Sequence, residues 1–202
     1  MGATGTANWP SVRELEEWVR GLISAGRWQH TQRVAALARR LALRWGADVQ
    51  AAEVAAIVHD CARELSEAAL LKMVDDFGIV RDTISDAEPM LYHGPVAAAW
   101  VRSRWGIESP DVLEAIAVHT TGRAGMGLLA KVLYAADALE PGRNFLEARE
   151  LREKAFVDLD GAVRATLELS ITYLIKTGRL VHPDSLAARN ALVLEAREGH
   201  AL

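Results

Sequence analysis

The chain has 202 residues, half of them hydrophobic and a quarter charged. That is enough to bury one good core and too apolar for a disordered chain. The formal net charge of -4 comes with no basic block, which excludes a large nucleic-acid footprint but leaves room for a local basic pocket that holds a small anion.

Cys61 is the only cysteine. No intramolecular disulfide can form, which favours a reducing compartment, and a small buried thiol is the expected role. No run approaches the ~20 apolar residues of a membrane helix, and no basic-then-apolar leader opens the chain, so the expected setting is cytoplasmic and away from membranes. Residues 1–10 read as a flexible leader, in which Met1-Gly2 with Thr6 fits the short myristoylation pattern only formally. A single domain is expected over 11–200, without linker or internal repeat.

Strand signals are scarce and helical periodicity is pervasive, so the expected class is all-α. Pro10-Ser11 opens a helix with Val12, Leu15, Trp18, Val19 and Leu22 on one stripe, and Gly26 is expected to break it. The next helix carries Val34, Leu37, Ala38, Leu41 and Trp45 on one face and stops at Gly46, with His30 one turn before Val34. A third runs from about Asp48 to His59-Asp60, and Ser66 caps a fourth that ends near Phe77-Gly78. The polar segment from Val80 to Pro89 reads as a loop. His93 stands at the start of a helix reaching about Trp105, with Pro95 in its first turn. Ser109-Pro110-Asp111 opens the next helix, which leads through Val112, Ala115 and Ile116 to His119 and ends at Gly122. Beyond Gly127, Leu129 and Leu133 form a ladder whose next rung is Asp137, a carboxylate facing a core, and Pro141-Gly142 ends that helix. Two or three more helices follow, one ending near Gly178 and one starting at Asp184. The six tryptophans fall mostly on helix stripes, where core packing is expected.

The adjacent His59 and Asp60 close an apolar helix, where ionisable groups are costly unless something pairs with them. A divalent metal suits a neutral imidazole beside a carboxylate. His30, His93, His119 and Asp137 also lie on or at the ends of helical segments. His30, His59, Asp60 and Asp137 make one plausible site; His93 and His119, with Asp60 bridging, make a second. Mixed nitrogen and oxygen ligation without thiolate suits iron or manganese, and less decisively zinc. Two ions ~3.5–4 Å apart can activate water and clamp a phosphoryl group.

In its order His30, His59-Asp60, Asp137 the chain resembles the HD phosphohydrolase superfamily, and in finer pattern its YqeK-like branch, the bacterial symmetrical diadenosine-tetraphosphate hydrolases. The matching pieces are Arg27 with His30, Val58-His59-Asp60-Cys61-Ala62-Arg63, Leu91-Tyr92-His93-Gly94, and Ala115 to Gly122 with its His119-Thr120-Thr121-Gly122 element. Ala136 to Arg143 also matches, with its Glu140-Pro141-Gly142-Arg143 element, as do Val181-His182-Pro183 and Ala188-Arg189-Asn190. The resemblance implies a single HD-domain helical bundle, a dinuclear iron-type centre, and cleavage of diadenosine tetraphosphate to two ADP.

In that reading Asp60 serves both ions, and Arg63 assists catalysis by holding phosphate. The family commonly has Lys where this chain has Arg63; Arg can grip phosphate bidentately where Lys acts as a point charge. Arg27, Arg143, Thr120, Thr121 and Gly122 are candidate substrate contacts. Lys131 has no assigned side, His182 is expected to be structural, and His200 falls in the tail. The expected partner is a small dinucleoside polyphosphate or another nucleotide, and a homodimer is compatible with the sequence. Two alternatives stand beside this one. Another HD substrate is the first, a guanosine polyphosphate, deoxynucleotide or cyclic dinucleotide. The Glu-Asp pair of guanosine-polyphosphate hydrolases is replaced here by Arg63-Glu64-Leu65, and no Gly-Tyr-Pro element of the cyclic-dinucleotide branch is present. The second is a non-catalytic, metal-loaded nucleotide sensor.

Overall fold

Serine, aspartate and proline at the edges of apolar stripes set most of the helix boundaries in the computed structural model, which describes residues 9–199. The first eight residues of the expected leader, with its myristoylation-like pattern, and His200 lie outside the described residues. Ser11 and Glu14 close a capping box that starts α1 (Val12–Arg20). Ser24 caps α2 (Ala25–Trp45), which ends on Gly46 at φ 75, a left-handed turn that suits glycine. The break expected at Gly26 falls earlier, over residues 21–24: Ser24 Oγ accepts the Arg27 amide, and this cap places Gly26 inside the first turn of α2.

Asp48 caps α3 (Val49–Val58) and Ser66 caps α4 (Glu67–Asp76). The segment expected as a loop from Val80 to Pro89 contains a short helix, α5 (Thr83–Ala87). Its cap is the Asp82 carboxylate, which accepts the Ile84 and Ser85 amides at 2.9 Å each. A 3₁₀ turn (Pro89–Tyr92) leads directly into α6 (His93–Trp105). Then come α7 (Pro110–Val118), α8 (Leu128–Leu139), α9 (Ala148–Lys154), α10 (Leu159–Lys176) and α11 (Pro183–Gly199). No strand occurs among the described residues, and none of their helices is long and apolar enough to cross a membrane.

The core forms where α3 is packed by α1, α2, α7 and α8. Ala51, Ala52, Ala55 and Ala56 let its neighbours approach closely, and Val54, Ile57 and Val58 fill the remaining space. On α2, His30, Val34, Leu37, Ala38 and Leu41 form one buried stripe. Leu41 is fully buried; a side chain like it contributes about 1.5–3 kcal/mol by leaving water. Tryptophans close the α1 side: Trp18 meets Trp100 and Trp105 edge-on at 5.2 and 5.9 Å. Helix α10 packs on α8, α9 and α11 and walls the opposite side. This packing carries the ends of α3 and α7, the start of α6 and the inner faces of α2 and α8 to one point.

Candidate metal centre

Helix α3 stops at Val58, and that stop lets two consecutive side chains serve one site. Inside a helix, neighbours diverge by about 100°. Here the chain turns at residues 59–64, with the Cys61 amide on the Val58 carbonyl and the Arg63 amide on Asp60. His59 and Asp60 therefore both face the point where the helices meet, and both are buried.

The two oxygens of Asp60 point to different partners. Oδ2 lies 3.9 Å from His30 Nε2 and 3.5 Å from His59 Nε2. Oδ1 lies 3.2 Å from His93 Nε2 and 3.6 Å from His119 Nε2. Asp137 joins the first group, with Oδ1 3.0 Å from His30 Nε2 and 4.0 Å from His59 Nε2. The six side chains named from sequence thus converge, in overlapping clusters with metal-ligand spacing. The nearby Cys61 thiol is in none of these clusters; burial pushes its pKa up.

All four imidazoles offer Nε2 to this point. The Nδ1 of His59, His93 and His119 donates to the carbonyls of Ala56, Met90 and Ile116, at 2.7, 2.5 and 2.7 Å. His30 Nδ1 instead donates to Glu140 Oε1, 3.2 Å away. These bonds leave the Nε2 lone pairs aimed inward. His30 Nε2 and His59 Nε2 are buried with no hydrogen-bond partner, and His93 Nε2 faces His119 Nε2 at 3.0 Å. Two lone pairs that close repel unless a cation or proton lies between them. Orphaned imidazole nitrogens converging on carboxylate oxygens, without sulfur, are a donor set that fits a divalent metal.

The electrostatics agree. Burial holds the His59 pKa down to about 4 against the pull of Asp60, and it lowers His93 as well. Burial alone would raise Asp60 and Asp137, but the surrounding imidazoles outweigh it and hold both carboxyls below their usual range. His119 is displaced upward: burial opposes its charge, yet Asp60 and Asp137 together favour it. A cation bound here competes with a proton for that imidazole.

Three arginines surround the carboxylates. Arg27 Nη1 donates to Asp60 Oδ2 at 3.1 Å, and Arg143 Nη2 donates to Asp137 Oδ1 at 2.9 Å. Arg63 lines a cavity beside His93, where burial lowers its pKa, Asp60 raises it and Arg27 lowers it further. Two cavities open on the centre. One, about 510 Å³, is lined by His119, Asp137, Arg143, Phe145 and Tyr173; the other, about 240 Å³, by Arg63, His93, Met90, Leu180 and Arg179. Thr120, Tyr134 and Ser170 line both.

The remaining candidates fall as follows. Thr120 Oγ1 sits 3.3 Å from His93 Nε2 and 3.2 Å from His119 Nε2. Thr121 Oγ1 donates to the Gly122 carbonyl at 3.0 Å, and the Gly122 amide is committed to the Val118 carbonyl at 2.7 Å. Gly122 takes φ 67 to make that turn. Lys131 points away from the centre, to Asp160 and Glu195 at 2.9 and 3.5 Å. His182 pins the start of α11, accepting the Asp184 amide at 3.1 Å and reaching Asp82 at 3.4 Å.

Sequence reasoning missed Arg33 and assigned no role to Glu140 of the Glu140-Pro141-Gly142-Arg143 element; the two pair through Nε–Oε2 at 2.5 Å and Nη2–Oε1 at 3.2 Å. A signal existed. Arg33 follows His30 by three, and Glu140 follows Asp137 by three, so each pair shares a helix face. Gly94, of the Leu91-Tyr92-His93-Gly94 element, is where α6 touches α7, as a Cβ there would lie 2.8 Å from the Ala117 carbonyl oxygen.

The HD domain profile matches residues 27–142, a span that includes all six convergent side chains. The symmetrical bis(5'-nucleosyl)-tetraphosphatase of Halalkalibacterium halodurans is 40% identical over 171 residues, 85% of this chain and 91% of that protein. The one from Bacillus subtilis is 37% identical over 175 residues, 87% of this chain and 94% of that protein. A crystal structure from Clostridium acetobutylicum, described as a predicted HD superfamily hydrolase involved in NAD metabolism, superposes with a TM-score of 0.90 at 32% identity. It covers 93% of this chain and 100% of its own. With the motif, the span and the fold in agreement, the chain belongs to the HD domain family, in the branch that holds the symmetrical bis(5'-nucleosyl)-tetraphosphatases.

Proposed function

We propose that this protein is a metal-dependent phosphoanhydride hydrolase that cleaves diadenosine tetraphosphate at its middle to give two ADP. The observation that carries the reading is the position of the centre between two cavities, one on the Asp137 side and one on the Arg63 side. A substrate with two nucleoside ends and a polyphosphate bridge suits such a site, because each end has a cavity while the bridge crosses the carboxylate cluster. The likeness to relatives named for this activity supports it.

His30, His59, Asp60 and Asp137 would hold one divalent ion and His93, His119 and Asp60 a second, most simply iron, with manganese and zinc as the alternatives. Such ions supply Lewis acidity toward a phosphoryl oxygen and acidify water. The protein's own residues do the rest. The Nδ1 hydrogen bonds hold the imidazoles in one tautomer. Arg63 in one cavity and Arg143 in the other offer guanidinium donors beside the centre, where negative charge gathers as the bond breaks. Water adds to an inner phosphorus and the bond to the central bridging oxygen breaks. One ADP leaves with that oxygen, and the other carries the water's oxygen on its terminal phosphate. ADP is a good leaving group, so no further carboxylic acid is required.

Single-turnover hydrolysis in oxygen-18 water tests this: one ADP labelled at its terminal phosphate is the expected product. ATP plus AMP as first products would reject the central alignment. No turnover of any dinucleoside polyphosphate, with iron and manganese both supplied, would favour another HD substrate or a sensor.

A further inference from the structure

Three of the four imidazoles are oriented by their own chain segments. His59 and His119 stand just past the last turns of α3 and α7, and His93 just past the 3₁₀ turn. Each of these rings uses the carbonyl three residues back; for His59 and His119 that carbonyl belongs to the last turn of a helix, whose final carbonyls lack helix amides, while the Met90 carbonyl accepts the His93 amide as well as its ring. His30 is different. It lies inside α2, where the preceding carbonyls already accept helix amides, so its Nδ1 must find a partner elsewhere.

That partner is Glu140. Its side chain is 3% exposed, it accepts two bonds from Arg33 and one from the Gly142 amide, and it reaches His30 Nδ1 at 3.2 Å. Gly142 makes the clamp possible, because a Cβ there would lie 2.6–2.8 Å from the Arg33 guanidinium. Four elements of the Glu140-Pro141-Gly142-Arg143 motif thereby acquire work: Glu140 on His30, the Pro141-Gly142 turn around Arg33, and Arg143 on Asp137.

We propose that Glu140, clamped by Arg33, is a positioning residue that orients His30 and makes the His30 side the tighter of two metal positions. The inference rests on the reading of the centre given above. An imidazole backed by a carboxylate is a stronger donor than one backed by an amide carbonyl. The His30 side also has oxygens of both Asp60 and Asp137 within 4 Å of its imidazoles, whereas His93 and His119 have only Asp60 that close, Asp137 joining His119 in a looser group within 4.8 Å.

The test uses the whole protein loaded with cobalt(II) and titrated with a chelator, reading metal content and visible spectrum together. The wild type is expected to release its ions in two steps. Glu140→Gln should weaken the tighter step ten- to a hundredfold, leave the looser one in place, and leave the melting of the stripped protein unchanged. His30→Gln should weaken the same step, and the double variant should weaken it no further, since Glu140 acts through His30. Arg33→Met alters a partly exposed side chain and keeps the test open if Glu140→Gln does not fold; a smaller, several-fold loss is expected at the same step. Unchanged release in Glu140→Gln, additive losses in the double variant, parallel loss of both steps, or a single step in the wild type would each overturn the assignment. A wild type that binds no metal would refute the centre itself.

Discussion

Gly94→Ala tests how finely the helices hold the centre. The added Cβ would stand 2.8 Å from the Ala117 carbonyl oxygen and 3.1 Å from that of Ile116. Both are backbone atoms at the end of α7 and cannot rotate aside. Ordinary contact begins near 3.4 Å, so α6 and α7 must part locally by about 0.6 Å. His93 is the residue before Gly94, and His119 lies two beyond Ala117, so the shift acts on a pair whose Nε2 atoms are 3.0 Å apart. Metal–ligand distances tolerate only about ±0.2 Å. Overpacking of this kind costs about 1–3 kcal/mol; the better helix propensity of Ala returns up to about 1 kcal/mol. With that offset in full, a net loss of up to about 2 kcal/mol remains, which lowers the melting temperature of a chain this size by up to roughly 8 °C. Gly26→Ala is the control, because a Cβ there meets nothing within 4 Å, and it should stabilise by about 0.4–1 kcal/mol. Calorimetry with metal analysis reads the result: Gly94→Ala melts lower and loses the ion on the His93 side first. A Gly94→Ala protein that melts no lower than wild type and holds wild-type metal would refute the close-contact argument.

Asp60→Asn should remove most turnover and lower metal content on both sides, because each Asp60 oxygen faces a different pair of imidazoles; full activity with normal metal content would sink the bridging role. Arg63→Ala should spare metal content and cost about 2–4 kcal/mol at the transition state, a roughly thirty- to thousandfold drop in kcat/KM. Arg63→Lys should stay active, and the reverse ranking would overturn the role given to this position. For the metal-stripped protein, the unfolded chain takes up a proton at His59 near pH 6.5 while the fold resists until about pH 4. Stability from this group is therefore present above about pH 6.5 and is lost as pH falls toward 4, by on the order of 3 kcal/mol. His93 acts in the same direction and the upward-shifted His119 opposes. Melting followed against pH should show the fall and a flatter curve for His59→Gln; equal curves would refute it.

Sequence made the helices legible wherever a capping side chain met an apolar stripe. Asp48, Ser66 and Pro110 start α3, α4 and α7 where their chemistry says they should. Gly26 misled because glycine weakens a helix by only about 1 kcal/mol, and the Ser24 cap two residues earlier outweighs it. Helix α5 was hidden because its signal is a single aspartate in a polar stretch with no periodicity. The convergent side chains were legible because ionisable groups on apolar faces are rare and these fall at helix ends. What surrounds them was not. Arg33 meets Glu140 across 107 positions of sequence, and the cavity walls draw on Tyr173, Arg179 and Leu180, far along the chain from the histidines. Pairings of that kind depend on how helices pack, which local patterns do not encode.

The charges around the centre explain how a chain with a net charge of -4 could take a substrate whose phosphate bridge carries about -4 of its own. In this structure Arg27 and Arg143 hold the oxygens of Asp60 and Asp137 that the imidazoles also face. In the proposed reading, divalent ions would claim those oxygens, and the two guanidiniums would be released toward the bridge. Two ions against two carboxylates leave a surplus of about +2, to which Arg27, Arg143 and Arg63 add about +3. The positive charge is concentrated in a small, partly enclosed volume, where low-polarity walls strengthen it, while the outer surface stays acidic. That arrangement favours a compact polyanion with ends that fit cavities and disfavours long nucleic acids, which need an extended basic face. Arg63 makes no salt bridge among the described residues and would meet the bridge first without giving up a partner, which is why its removal should slow turnover more than it disturbs the metal.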